Sequence, residues 1–319
     1  MGKVFVTRQT PGRAIEMLHA AGHEVDVWHE PTPPPPVVLA AKLAASDAAL
    51  TMVVDAITPE MLDGAPNLRV LANMAVGYDN LNPAEAIRRG IAVTNTPGVL
   101  AETTADMAWA LLMAGARNVV ASERDTRAGG WTTWSPTAFL GQDVFGATLG
   151  IIGLGEIGEA MARRARGFDM RILYTSRTRK PEAESRLGLE FVSLDDLLRQ
   201  SDFVSLHTPL SPETRYLIAA RELSLMKPTA LLVNTARGGV VDQDALIAAL
   251  RAGSIGGAAL DVTDPEPLPL DNPLYSFPNV VITPHIASAS LATRSKMAEM
   301  AAANIIAVLA GRPAINPVA

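Results

Sequence analysis

Thr148-Leu149-Gly150-Ile151-Ile152-Gly153-Leu154-Gly155-Glu156-Ile157-Gly158 is the stretch on which the fold turns. Leu149, Ile151 and Ile152 read as a short buried strand, and Ala160-Met161-Ala162-Arg163-Arg164 continues at helical period. Between them, three glycines stand at G-x-G-x-x-G spacing. Gly153 lets the strand turn sharply, Gly155 lets the backbone approach a pyrophosphate, and Gly158 lets helix and strand pack closely. The helix start, at Glu156 and Ile157, offers main-chain N–H groups and a positive dipole end to phosphates. A glycine-rich tight turn is the competing reading. The position between a strand and a helix favours the dinucleotide.

The next strand should carry the discriminating residue. About twenty residues beyond the glycines, an acid would bind the ribose of NAD, while arginine would accommodate the extra phosphate of NADP. That strand is Arg171-Ile172-Leu173-Tyr174, followed by Thr175-Ser176-Arg177-Thr178-Arg179-Lys180. No carboxylate stands at its tip. Ser176, Arg177, Thr178 and Arg179 instead suit a phosphate dianion. The expected cofactor is NADP(H), with NAD(H) as the alternative.

The whole chain sets the outer limits. Its 319 residues suit two domains, and 48% hydrophobic residues can bury substantial cores. No run of eighteen apolar residues argues for a membrane span, and Met1-Gly2-Lys3-Val4-Phe5-Val6 already reads as a strand rather than a signal peptide. The absence of cysteine excludes disulfides, thiolate catalysis and zinc–cysteine sites, and fits the cytoplasm. His19 and His23 are spaced like a metal pair but lack a third ligand, so no metal is expected. A net charge of −6 without a basic tract argues against nucleic acid as a partner.

Outward from the glycine loop, strands and helices alternate. Before it come strands at 4–6, 25–28, 49–53 and 69–72, with a helix over 14–21 and another capped by Asn82-Pro83. The run Pro31-Thr32-Pro33-Pro34-Pro35-Pro36 reads as a stiff polyproline II surface connection. Asn95-Thr96-Pro97-Gly98 reads as a hinge before a long apolar helix from Ala105 to about Arg117. After the loop, strands are expected at 203–207, 230–234, 257–260 and 280–283, with helices over 194–200, 244–252 and 289–310. Such alternation gives parallel sheets covered on both faces. The expected fold class is α/β, with two doubly wound parallel-sheet domains. A Rossmann nucleotide-binding domain, residues 99–286, is inserted into a smaller flavodoxin-like substrate domain of residues 1–98 plus 287–319.

Ligands of such sheets sit beyond the carboxyl ends of the strands. Four clusters stand there: His207-Thr208-Pro209-Leu210, Thr235-Ala236-Arg237-Gly238-Gly239, Asp261 through Pro267, and Pro284-His285-Ile286-Ala287-Ser288. They bring one arginine, one acid and one imidazole to the same edge. Arginine can hold a ketoacid carboxylate as a bidentate pair and polarise the carbonyl. Histidine can protonate the developing alkoxide, with a carboxylate to orient it and favour its charged form.

Through these clusters the chain resembles the D-isomer-specific 2-hydroxyacid dehydrogenases, most closely their glyoxylate/hydroxypyruvate reductase branch. The resemblance runs through Ser205–Thr214, Val233–Val241, Asp261–Pro269, Thr283–Ser290 and the turn Met74-Ala75-Val76-Gly77-Tyr78-Asp79. It implies Arg237, Glu266 and His285 as the catalytic group, with main-chain donors of Val76 and Gly77 on the substrate carboxylate. It places Thr104, Thr208, Pro209, Thr214, Thr235, Ala236, Asp261 and Ser288 at the cofactor or the site. Ser176 replaces the family's ribose-binding aspartate, and Ala287 stands where glycine is common. The implied reaction is NADPH-dependent reduction of glyoxylate or hydroxypyruvate to glycolate or D-glycerate, in a cleft between the domains. A homodimer is implied too, its contact made by the long helix and the loop bearing Trp131 and Trp134, with Trp134 on the substrate. The alternatives are an NAD-linked enzyme for a bulkier 2-ketoacid and a nucleotide-sensing corepressor-like module.

Overall fold

Among the described residues, twelve strands of three to five residues are each paired in parallel. The computed structural model describes residues 1–318. The chain divides into two units: Met1–Leu100 together with the chain from Ala289 onward, and Ala101–Ser288.

The smaller unit runs β1 (Lys3–Val6), α1 (Ala14–Ala20), β2 (Glu24–Val27), α2 (Pro36–Ala44), β3 (Ala48–Thr51), α3 (Pro59–Asp63), β4 (Val70–Asn73), α4 (Pro83–Arg88) and β5 (Ala92–Thr94). Its sheet order is β2-β1-β3-β4-β5, the flavodoxin-like arrangement. Period-two alternation feeds two cores. Phe5, Ala49, Leu71 and Val93 face Leu39, Leu43, Leu62 and Ala86 of α2 to α4. Val4, Val6, Leu50, Val70 and Ala72 face α1 and the C-terminal helix Leu291–Leu309. That helix buries Ala298, Ala301, Ala302 and Ile305, a single stripe at helical spacing.

Two local expectations change here. Pro36 is the first residue of α2 rather than part of an extended connection, because a proline at that position lacks only an N–H that would go unpaired anyway. Asn82 precedes α4 but does not cap it. Its backbone is left-handed, and its side-chain amide donates to Ile57 O at 2.6 Å.

The larger unit contains α5 (Ala101–Ala116), α6 (Val119–Arg127), β6 (Thr148–Ile152), α7 (Glu156–Arg166), β7 (Arg171–Thr175), α8 (Pro181–Leu187) and β8 (Leu189–Phe191). It continues with α9 (Leu194–Gln200), β9 (Phe203–Leu206), α10 (Ala220–Leu225), β10 (Leu231–Asn234), α11 (Gln243–Ala252), β11 (Gly257–Leu260) and β12 (Val280–Ile282). Its sheet order is β8-β7-β6-β9-β10-β11-β12, the dinucleotide-binding order with a seventh strand. Leu149, Ile151, Tyr174, Phe203 and Val233 pack against α5 and α7. Ile152, Leu173, Val204 and Leu232 pack against α9, α10 and α11. Each large side chain buried in this way contributes about 1.5–3 kcal/mol, so the strand ends that carry the site are firmly held. No helix among the described residues is long and apolar enough to cross a membrane.

Candidate active site

The strand order reverses between β6 and β9, and the glycine loop leaves the sheet at that point. Gly153 takes φ +94°, and a β-carbon there would lie 2.6 Å from the carbonyl oxygen of His207. A β-carbon at Gly158 would collide with the carbonyl of Gly153. Only glycines let α7 begin this close to the strand. Gly155 is the first flanking residue of α7, with no side-chain cap and open space on its α-carbon. The main-chain N–H groups of Leu154, Glu156 and Ile157 make no hydrogen bond among the described residues. Thr235, just past the end of β10, buries a hydroxyl with no partner among the described residues. Unpaired donors at a helix start and an orphaned hydroxyl fit a dinucleotide whose pyrophosphate and ribose would satisfy them.

At the tip of β7 the two arginines differ. Arg179 is committed: Nε and Nη2 donate to Glu184 Oε1 and Oε2 at 2.9 and 2.8 Å, and the guanidinium lies over the Phe191 ring. Tyr174 Oη donates to the same carboxylate at 2.6 Å. Hydrogen bonds from Arg179 and then Tyr174 hold the Glu184 pKa down at about 2, so the carboxylate is charged at neutral pH. Arg177 makes no hydrogen bond or ion pair among the described residues. Ser176 Oγ donates to Thr178 O at 2.6 Å and closes the turn.

Arg237, Glu266 and His285 follow β10, β11 and β12. Asn234 shapes the arginine's turn with its own amide, accepting from Ala236 N at 3.0 Å and donating to Arg237 O at 2.9 Å. Gly238 then passes so close to Thr263 that a β-carbon would collide with its carbonyl, which brings the loops after β10 and β11 into contact. In the second loop Glu266 Oε1 accepts from Thr263 N at 3.1 Å, while Oε2 meets His285 Nδ1 at 2.9 Å. Both side chains keep 29% exposure, enough for a ligand to reach them. His285 itself adopts φ +53°. Ala287 does not take a positive φ, so no glycine is needed beside the histidine.

The histidine loop hangs on Asp261. This buried carboxylate accepts from Thr283 Oγ1 (2.5 Å), Ile286 N (2.9 Å) and Ala287 N (2.7 Å). Its oxygens are spent inside the protein, which makes it a tie for the loop. Thr214 is similarly occupied, its hydroxyl donating to Pro209 O at 2.6 Å and accepting from Ser211 N at 2.8 Å. Thr104 is buried on α5, and Thr208 and Ser288 are half-buried at strand-end loops. His207 bonds Ser205 Oγ through Nε2 at 2.8 Å, and burial pushes its pKa down to about 4, so it is neutral at physiological pH. Val76 and Gly77 lie in the smaller unit, on the turn after β4. Trp131 and Trp134 are 73% and 80% exposed. Asn234 was not anticipated, although an asparagine between a strand and an arginine is a turn signal.

The family profile described as D-isomer specific 2-hydroxyacid dehydrogenase, NAD binding domain, matches residues 109–287. The glyoxylate reductase of Thermococcus kodakarensis is 54% identical over 309 residues, spanning 96% of this chain and 92% of its own. A crystal structure of a Thermus thermophilus protein superposes with a TM-score of 0.94 at 48% identity, covering 99% of this chain and all of that one. The NADPH-dependent glyoxylate/hydroxypyruvate reductase of Sinorhizobium meliloti, solved with NADP and malonate, gives a TM-score of 0.85 at 32% identity over 99% and 96% of the two chains. The chain thus belongs to the D-isomer-specific 2-hydroxyacid dehydrogenases, NAD(P)-dependent oxidoreductases that act on 2-hydroxy acids.

Proposed function

We propose that this enzyme reduces glyoxylate, and hydroxypyruvate by the same chemistry, with NADPH as its preferred cofactor, and that it works as a homodimer. The observation that carries the reading is the His285–Glu266 pair, fixed at 2.9 Å on a loop that Asp261 holds from beneath. Relatives more than half identical over nearly the whole chain bear the name glyoxylate reductase, which supports the substrate.

Arg237 and the main-chain donors of Val76 and Gly77 hold the substrate carboxylate. The guanidinium also polarises the carbonyl that is to be reduced. The nicotinamide, when bound, supplies hydride to the carbonyl carbon. His285 gives a proton from Nε2 to the carbonyl oxygen, so no alkoxide is released. Glu266 keeps Nδ1 engaged, which fixes the ring's orientation.

For the cofactor, the lack of an acid in the sequence at the tip of β7 and an Arg177 without a hydrogen bond among the described residues support NADPH. For the dimer, α6 buries no side chain, and Trp131, Trp134, Phe139, Leu140 and Phe145 are exposed on the same stretch of chain. Exposed aromatic and aliphatic residues at this density suit a subunit contact. We assign Trp134 to the partner subunit's substrate pocket. Steady-state oxidation of NADPH and NADH over a panel of 2-ketoacids tests the whole reading. Turnover of glyoxylate with NADPH should exceed that of any bulkier ketoacid, and a preference for NADH with a branched ketoacid would replace it.

A further inference from the structure

In the turn after β4, three successive peptide planes are held by their carbonyls. Thr96 N donates to Ala75 O at 2.9 Å, Asn95 Nδ2 to Val76 O at 2.8 Å, and Asn73 Nδ2 to Gly77 O at 2.9 Å. All three peptides are trans. A planar trans peptide points its N–H opposite to its C=O. The N–H groups of Val76, Gly77 and Tyr78 are therefore each turned away from the donor that holds their peptide. None of the three has a hydrogen-bond partner among the described residues. Unpaired main-chain N–H groups of this kind can donate to an anion.

Behind them, Asn73 and Asn80 use every donor and acceptor of their side-chain amides. Asn73 is buried, and its Oδ1 accepts from Thr51 Oγ1 at 3.1 Å. The second hydrogen of its Nδ2 goes to Asn80 Oδ1 at 3.1 Å. Asn80 Nδ2 in turn donates to Met52 O and Asp55 O at 3.0 and 2.9 Å, so the turn is tied to the loop after β3. A buried polar network with every member satisfied is rigid, and an amide is the side chain that can accept from one neighbour while donating to two others.

We propose that Asn73 and Asn95 are positioning residues for the reduction: they fix the peptide planes of this turn so that Val76, Gly77 and a third donor, Tyr78, aim their N–H groups at the substrate carboxylate. The proposal rests on the reading of this turn as the carboxylate holder and adds what sets its aim. Aspartate at either position keeps the shape but cannot donate, and it sets a negative charge against a carbonyl oxygen.

The test uses the full-length enzyme and its Asn73→Asp, Asn95→Asp and Asn95→Gln variants, with glyoxylate as substrate and oxamate as an unreactive carboxylate probe. In the aspartate variants KM for glyoxylate and Ki for oxamate should both rise by about tenfold or more. kcat should change much less, and NADPH affinity should not change. Asn95→Gln retains a donor and should recover part of the loss. If Asn73→Asp does not fold, the half-buried Asn95→Asp decides. Unchanged KM and Ki in a folded aspartate variant would overturn the proposal, as would a parallel loss of kcat, KM and NADPH affinity. Amide NMR of the wild type with oxamate separates this from the functional reading. If no 2-ketoacid is turned over, shifts at Val76, Gly77 and Tyr78 that vanish in Asn95→Asp would sustain the positioning role alone. Normal turnover together with variants of unchanged KM would sink the positioning role and leave the function intact.

Discussion

Two carboxylates serve His285 in different ways. Asp261 is buried and fixes the loop through the N–H groups of Ile286 and Ala287, whereas Glu266 is partly exposed and meets the imidazole directly. Removing the proposed proton donor should matter far more than removing the charge beside it. His285→Ala should lower kcat by about a hundredfold or more, the scale of lost general acid catalysis, with NADPH affinity nearly unchanged in a fluorescence titration. Glu266→Gln keeps the shape but gives up a charged hydrogen bond worth about 1.5–3 kcal/mol, so kcat should fall by about ten- to a hundredfold. A Glu266→Gln enzyme with wild-type kcat would show that the carboxylate serves only the loop. The arginines at the tip of β7 give a second contrast. Glu184 already neutralises Arg179, which leaves Arg177 as the charge for the proposed 2′-phosphate contact. Arg177→Ala should weaken NADPH binding by about tenfold or more and leave NADH untouched. Arg179→Ala should cost clearly less, and equal losses in the two variants would spread the phosphate over both side chains. The basic tip was legible in the sequence as composition. The division of labour was not, because it depends on Glu184 from α8 turning back onto the strand end.

Elements were legible where local period and glycine spacing coincide. The glycine loop, the strands that carry the four site clusters and the C-terminal helix all have apolar runs or stripes of sufficient length to show a period. β5 (Ala92-Val93-Thr94) and β8 (Leu189-Glu190-Phe191) have three residues each and lack the unbroken apolar run of the equally short β12, and α2 lay hidden behind prolines that read as an extended connection. Asp261 could be placed at a strand end, but its role as a tie needs Ile286 and Ala287, 25 and 26 residues further on. The loops after β10 and β11 meet at Gly238, so Gly238→Ala must push Thr263 away, and with it the N–H that holds Glu266. Overpacking of this sort costs about 1–3 kcal/mol. The variant should show a lower thermal midpoint and reduced kcat while still binding NADPH. In the smaller unit, the loop after β3 is held by buried Asp55, which accepts from Met52 N at 2.7 Å and from Thr7 Oγ1, with Arg8 at 3.9 Å. Burial raises its pKa above the ordinary 3.8, against the pull of those hydrogen bonds and of Arg8. The folded protein then binds the proton more tightly than the unfolded chain, so ionisation of Asp55 costs stability as pH rises through the raised value. Asp55→Asn does not titrate. Urea unfolding should therefore find the wild type gaining on this variant as pH falls from 7 to 4, and a gap that stays constant would mean that Asp55 ionises freely in the fold.

For the molecule as a whole, the unanswered surface is the stretch between α5 and β6. α6 buries none of its side chains, and beyond it five large apolar residues stand in solvent, although the cores on either side of the sheet are complete. A monomer gains nothing from such a segment, while a second copy would bury it at little entropic cost because the aromatic side chains have few rotamers. Leu140→Asp with Phe145→Asp places two charges in the proposed contact, where an unpaired buried charge costs several kcal/mol. Light scattering behind a sizing column should then report one chain of 33.7 kDa where the wild type reports two. Circular dichroism should be unchanged, because neither residue belongs to a core. Trp134→Ala tests a separate part of the same surface. It removes area but adds no charge, so the dimer should persist while bulkier 2-ketoacids gain kcat/KM relative to glyoxylate. If the doubly charged variant stays dimeric, the contact lies elsewhere. If it becomes a monomer while Trp134→Ala leaves the substrate panel unchanged, Trp134 belongs to the contact alone and the pocket is closed by residues of its own subunit.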